Sequence, residues 1–145
     1  MIVVLQRVKS AEVNVGGQTV GAIQKGYLLL VGIAGRDTEQ DVKRLAQDVS
    51  KLRLMADAEG KFGVNLATSG GSVLAVSQFT LLANFAKGNR PSFHEAAAPA
   101  VAEPLFNLFV AELSRLLGQP VATGQFGADM EVKLVNDGPV TVVLE

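Results

Sequence analysis

Cysteine is absent from these 145 residues and histidine occurs once. The first absence excludes disulfides, thiolate zinc sites and a cysteine nucleophile, and makes a reducing cytosol the natural setting. The second leaves His94 with no companion for a multi-histidine metal site. A catalytic triad around it would need a serine and an acid that spacing alone does not place, so a surface or capping role is expected. Long hydrophobic runs are also missing: nothing approaches the ~20 apolar residues of a membrane span. The apolar stretch within Met1–Arg7 is far shorter than a signal-peptide core, with no leading basic region and no small-residue cleavage site. A soluble, cytoplasmic protein with no membrane partner is expected. Neither sign of charge dominates, because thirteen basic and fourteen acidic side chains leave a net charge of -1. That balance argues against broad attraction to a phosphate backbone, yet holding one terminal nucleotide of an RNA needs few phosphate contacts. G-x-S-x-G, H-E-x-x-H and G-x-x-x-x-G-K-[ST] are all missing. No metal-ligand cluster is visible, so neither metal nor cofactor is expected.

What is present is globular in character: 48% hydrophobic and 19% charged residues, on a chain long enough to bury about two-thirds of its unfolded surface. Without repeats, low-complexity tracts or a long linker, residues 1–145 read as a single domain. Ile2 to Val8 is rich in branched aliphatics, and Ala11 to Val15, Gly16-Gly17 and Gln18 to Ile23 predict a hairpin. Tyr27 to Ile33 is a continuous apolar run suited to a buried strand. Thr38-Glu39-Gln40-Asp41 resembles a capping box, and Val42, Leu45, Val49 and Leu52 follow at helical spacing. A turn is expected around Asp57 to Gly60, and Gly70-Gly71 precedes a strand from Ser72 through Val76. From Val101 to Leu117 the apolar positions form a broad helical stripe, with Pro104 placed in the first turn and Gly118 ending the helix. Two closing strands are expected around Met130–Leu134 and Val140–Leu144, with Asn136-Asp137-Gly138-Pro139 between them. The sum is α+β: a curled, mostly antiparallel sheet or barrel with two substantial helices packed outside.

Three segments carry candidate chemistry. Ser77-Gln78-Phe79-Thr80 places a polar quartet at the end of a buried strand. It is either a strand reaching the surface or a set of hydroxyl and amide groups that orient a substrate, beside a phenylalanine that can stack on a base. Gly138-Pro139 reads first as a turn and an edge-strand start. Glycine without a side chain and proline without an amide hydrogen can also present bare carbonyls to a ligand. Ala86-Lys87-Gly88-Asn89-Arg90-Pro91 is a basic loop, either solvated or opposed to a phosphate.

Taken in order, these segments resemble the D-aminoacyl-tRNA deacylase family along nearly the whole chain. The resemblance runs through Gln6-Arg7-Val8, the capped helix, and Gly70-Gly71-Ser72-Val73-Leu74 leading into Ser77-Gln78-Phe79-Thr80-Leu81. It continues through Gly88-Asn89-Arg90-Pro91-Ser92-Phe93, Gly124-Gln125-Phe126-Gly127-Ala128-Asp129-Met130, and Asn136-Asp137-Gly138-Pro139-Val140-Thr141. It implies a homodimer that hydrolyses the ester joining a D-amino acid to the 3′-terminal adenosine of tRNA, with glycyl-tRNA as a second substrate. It implies a cis Gly138-Pro139 bond that reaches into the partner subunit's pocket, holds the substrate's α-amino group on its carbonyls and leaves no room for an L side chain. Arg7 is expected to brace that motif, to which Asn136 belongs. Ser77, Gln78, Phe79 and Thr80 carry over as the wall of the site, with amides near Phe79 and Thr80 facing the oxyanion. Phe79 and Met130 are expected to enclose the adenosine. No activating base is evident near Thr80, so a positioning role, with water assisted by the RNA's 2′-hydroxyl, is preferred to nucleophilic attack.

Overall fold

The computed structural model describes residues 1–145, and it begins with one long strand where the sequence suggested two. Strand β1 runs unbroken over Ile2–Val15. Its buried residues are Val3 and Leu5, then Val8, then Ala11 and Val13, so the inward parity changes twice between Leu5 and Ala11. Register shifts against the last strand fall at the same places, between Gln6 and Val8 and between Val8 and Ser10. Such irregularities re-aim side chains without ending a strand. Gly16 and Gly17, with φ of 57° and 80°, then supply the two left-handed residues of a tight hairpin. The chain returns as β2 (Gln18–Ile23) and β3 (Gly26–Gly32), both antiparallel to β1.

Helix α1 (Glu39–Lys51) starts where the capping box predicts. The Asp41 carboxylate accepts from the Thr38 amide at 2.8 Å, while the Thr38 hydroxyl accepts from the Asp41 amide at 3.4 Å. A small hairpin of β4 (Met55–Ala56) and β5 (Phe62–Val64) and a single turn, α2 (Leu66–Ser69), lead to β6 (Ser72–Ser77). After a 3-10 helix (Phe79–Leu82) and a long loop comes α3 (Pro99–Leu117), then β7 (Ala122–Thr123) and β8 (Glu131–Leu144). Pro104 therefore lies inside α3 and not in its first turn; the proline at the start is Pro99. Pro104 is exposed, as is Ala100 one turn earlier, so the carbonyl deprived of its partner faces water.

The sheet is mixed. β6 pairs parallel with β3 and β7 parallel with β6, while the other pairings are antiparallel. β2 and β7 approach each other so closely that a Cβ on Gly21 would strike the Thr123 carbonyl, and the sheet nearly closes into a barrel. Alternate residues of its central strands serve two cores. Tyr27, Leu29 and Val31 of β3, with Val73 and Ala75 of β6, pack beneath α1 and α3 against Leu45, Val49, Phe106 and Phe109. Leu28, Leu74 and Val76 face the other way, onto Val8, Val13 and Ile23. Burial on both faces is why these strands read as continuous apolar runs. The expected α+β barrel with two substantial outer helices is the observed architecture, and no helix is long and apolar enough to cross a membrane.

The expected closing hairpin is instead the single strand β8. It pairs with β1 from Asn14↔Glu131 to Val3↔Leu144. Gln6 is opposite Thr141 and Val8 opposite Asn136, so residues 137–140 bulge out across from Arg7 alone. Gly138 (φ 126°) and the cis bond to Pro139 lie inside that bulge. The interruption is absorbed because β1 holds the ladder on both sides of it. No β8 residue is fully buried, and Val135 and Val143 are 53% and 61% exposed.

Candidate active site

Where β6 ends, the Gln78 amide bonds the Val31 carbonyl of β3 at 2.8 Å, and the chain turns into the 3-10 helix. This turn sits hard on β3 because Gly32 has no side chain: a Cβ there would lie 2.7 Å from Leu82 Cδ2 and 3.0 Å from the Gln78 carbonyl oxygen. Gln78 Nε2 donates to Thr80 Oγ1, which ties the two polar side chains together. Phe79 is 57% exposed and meets Phe93 edge to face, with ring centroids 5.0 Å apart. Phe93 is anchored in turn by its neighbours, since Ser92 and Asn84 exchange backbone hydrogen bonds at 2.8 and 2.9 Å and the Ala97 amide reaches the Ile33 carbonyl at 2.9 Å.

The opposite side is the loop from Gly124 to Met130. The Gly124 amide bonds the Ala75 carbonyl at 3.2 Å, and a Cβ at Gly124 would come within 2.6 Å of Met130 Sδ. Phe126 packs on Phe106 of α3 with centroids 6.3 Å apart. Between these walls lies a cleft of about 550 Å³. Val31, Ile33 and Val76 form its floor, Ala96, Ala97 and Ala102 narrow one flank, and Ser77 and Gln78 are its only polar side chains. No ionisable group lines it. Such a cavity suits a flat apolar face with a few directed polar contacts at one end.

The structure divides the residues singled out from sequence into two groups. Ser77, Gln78, Phe79 and Met130 line the cleft, and Thr80 stands beside it on the turn. Arg7, Asn136, Gly138 and Pro139 are not among its lining residues and gather on the β1–β8 ribbon. There the Arg7 side chain, 12% exposed, donates from Nε to the Asp137 carbonyl at 3.1 Å and from Nη1 to the Leu54 carbonyl at 2.8 Å. Its guanidinium lies 5.2 Å from the centroid of the Phe62 ring, a cation–π distance. Nearby, the Tyr27 hydroxyl is buried without a hydrogen-bond partner, and burial pushes its pKa up against the opposing pull of the Leu54 backbone and the Arg7 charge. His94 is exposed and pairs with Ser92 Oγ at 2.9 Å.

Sequence reasoning overlooked Phe93, Phe106 and Phe126 as cleft residues. Phe106 sits in a helical stripe that looks like ordinary core. Phe126, set between Gly124 and Gly127, carried the better signal, an aromatic held on a close-packed loop.

A family model described as D-Tyr-tRNA(Tyr) deacylase matches residues 4–145. The chain belongs to this deacylase family. It is therefore an enzyme of a hydrolase family. Among the deacylase relatives, a protein of Opitutus terrae named D-aminoacyl-tRNA deacylase is 52% identical over 145 residues, covering 100% of this chain and 97% of that protein. One of the same name from Chloroflexus aurantiacus is also 52% identical, covering 100% and 90%. Among solved structures, a c-Myc DNA unwinding element binding protein superposes with a TM-score of 0.93 at 38% identity, over 100% of this chain and 98% of the other. A probable eukaryotic D-amino acid tRNA deacylase gives a TM-score of 0.85 at 17% identity over 99% and 97%, a likeness of fold.

Proposed function

We propose that this deacylase hydrolyses the ester between a D-amino acid, or glycine, and the 3′-terminal adenosine of tRNA, and that it spares L-aminoacyl-tRNA. The observation that carries the reading is the cleft itself: apolar and aromatic throughout, polar only at Ser77 and Gln78, and free of ionisable side chains. A nucleoside fits such walls by stacking and burial, with Phe79 and Met130 enclosing the base. With no protein group available as a general base, water attacks the ester with help from the RNA's own 2′-hydroxyl. Thr80, held by Gln78, positions the ester. The leading amides of the 3-10 helix, at Phe79 and Thr80, have no acceptor within their own turn and serve the tetrahedral oxyanion.

Selectivity is assigned to Gly138-Pro139. These residues stand apart from their own chain's cleft, which supports a homodimer in which each protomer lends the motif to the other. The exposed apolar edge at Val135 and Val143 supports the same arrangement. Bare carbonyls would grip the α-amino group, and an L side chain would meet the motif as a clash. Arg7 fixes the motif through the Asp137 carbonyl, and Asn136 sets its entry opposite Val8.

The test is to incubate D-Tyr-tRNA, L-Tyr-tRNA and Gly-tRNA with the protein and follow the remaining ester. The D and glycyl esters should disappear while the L ester persists. Equal loss of D and L forms would end the selectivity reading, and tight binding without hydrolysis would leave an RNA-end-binding module. Thr80→Ala should slow the D reaction by about 10- to 100-fold, the scale of a misplaced substrate; total loss in a folded variant would make Thr80 the nucleophile. Gly138→Ala should collapse the D/L ratio, because its Cβ would lie 2.9 Å from Val140 Cγ2 at a φ of +126°.

A further inference from the structure

We propose that the hairpin Asn84–Ser92 is a second RNA contact, on which the nucleotides preceding the terminal adenosine settle, Phe85 stacking on a base and Lys87 and Arg90 meeting phosphates. The inference rests on the tRNA-end reading of the cleft. Its first support is position. Ser92 is followed directly by Phe93, which lines the cleft and packs on Phe79, so the hairpin springs from the rim of the site. Only seven residues lie between its paired ends, and its tip therefore stays within about 14 Å of the rim.

The second support is order. The hairpin closes through the paired backbone bonds of Asn84 and Ser92, the Gly88 amide bonds the Phe85 carbonyl at 3.1 Å, and Asn84 Oδ1 accepts the Ala86 amide at 2.8 Å. Gly88 takes a φ of +122°, open to glycine and strained for other residues. A surface fixed in this way loses little freedom on binding.

The third is chemistry. Phe85 is 59% exposed and stacks on no other ring, unlike Phe79, Phe93, Phe106 and Phe126. Lys87 and Arg90 are exposed and form no ion pair. The chain has no acidic residue between Glu59 and Glu95, so the hairpin itself carries only positive charge in a molecule whose net charge is -1. An aromatic flanked by unpaired cations is how proteins hold single-stranded nucleic acid without reading its sequence.

Two substrates separate this contact from the cleft: D-Tyr-tRNA, and 3′-O-(D-tyrosyl)adenosine, which keeps the ester and the base but has no preceding nucleotides. Phe85→Ala should raise KM for D-Tyr-tRNA about tenfold with kcat unchanged. Phe85→Tyr should restore it, since the ring face is what matters. Lys87→Gln and Arg90→Gln should each flatten the log-log dependence of tRNA affinity on salt by about 0.7. All four variants should handle the adenosine ester like the wild type. An unchanged KM for tRNA in folded variants, or equal losses on both substrates, would overturn the proposal. If the wild type hydrolyses neither ester, the deacylase reading fails on its own; titration of the same variants with uncharged tRNA still decides the hairpin, which is refuted if their affinities match the wild type.

Discussion

Arg7 joins parts of the chain that are far apart in sequence. Through two backbone carbonyls and one aromatic face it links β1 to Leu54, Phe62 and Asp137. Carbonyl acceptors suit a guanidinium fork, and lysine at this place would keep the charge but lose one of the two directed bonds. Close by, Tyr27 contributes ring volume to the core while its hydroxyl goes unpaired. Removing a buried group that makes no hydrogen bond relieves a desolvation cost. Tyr27→Phe should therefore leave the thermal midpoint unchanged or raise stability by up to about 1 kcal/mol, as read from denaturant melts; a loss above that size would mean the hydroxyl is bonded in solution. Among single residues, Ser77, Gln78 and Phe79 drew notice because a polar quartet ends an apolar strand, and Met130 entered only through the family resemblance; all four line the cleft. Sequence reading missed Phe93 and Phe126 because nothing local distinguishes an aromatic that lines a cleft from one that fills a core.

At the scale of elements, the start of α1 was legible to the residue, since a capping box is a local hydrogen-bond pattern that four consecutive residues specify. The Thr38 amide and then its hydroxyl hold the Asp41 carboxyl below its ordinary value of 3.8. A depressed pKa in the folded state adds stability above the unfolded value, and that contribution is lost as pH falls through the folded one. Asp41→Ala should thus lower the melting temperature at pH 7, and the gap from wild type should narrow well below pH 3.8; a gap independent of pH would show that the cap acts without its charge. The end of the chain was misread for the opposite reason. Asn136-Asp137-Gly138-Pro139 has the local chemistry of a turn, and only the long-range pairing with β1 reveals that the strand continues past it. Pro104 was misplaced similarly, because solvent exposure at the preceding turn, which makes an internal proline tolerable, is not visible in a local pattern.

For the whole molecule, the nearly closed sheet leaves β8 as its long uncovered side. A 14-residue strand with every residue at least partly exposed and two prominent valines is a hazard that proteins usually cover or charge. A second copy is the expected cover. Sedimentation should give twice the chain's 15.2 kDa, and the melting temperature should rise with protein concentration, as mass action requires of a folded dimer. The pair Val135→Lys and Val143→Lys should shift the protein toward monomer and suppress D-Tyr-tRNA hydrolysis with it; a fully active monomer would show that each chain completes its own site. Architecture was legible as α+β with two outer helices because periodicity reports burial. A curled sheet or barrel was expected too, but not the strands that bring its edges together, since that depends on β2 meeting β7, about a hundred residues apart in sequence.

The composition of the cleft has a pharmacological consequence. It offers no thiol, imidazole, amine or carboxylate, and its hydroxyls, Ser77 and the adjacent Thr80, have no neighbouring base to sharpen them. If Thr80 only positions the substrate, electrophilic warheads and activity-based labels should leave the protein unmodified, as intact-mass measurement after incubation would check. An inhibitor of this site has to succeed as a reversible occupant, by filling an apolar cleft of about 550 Å³.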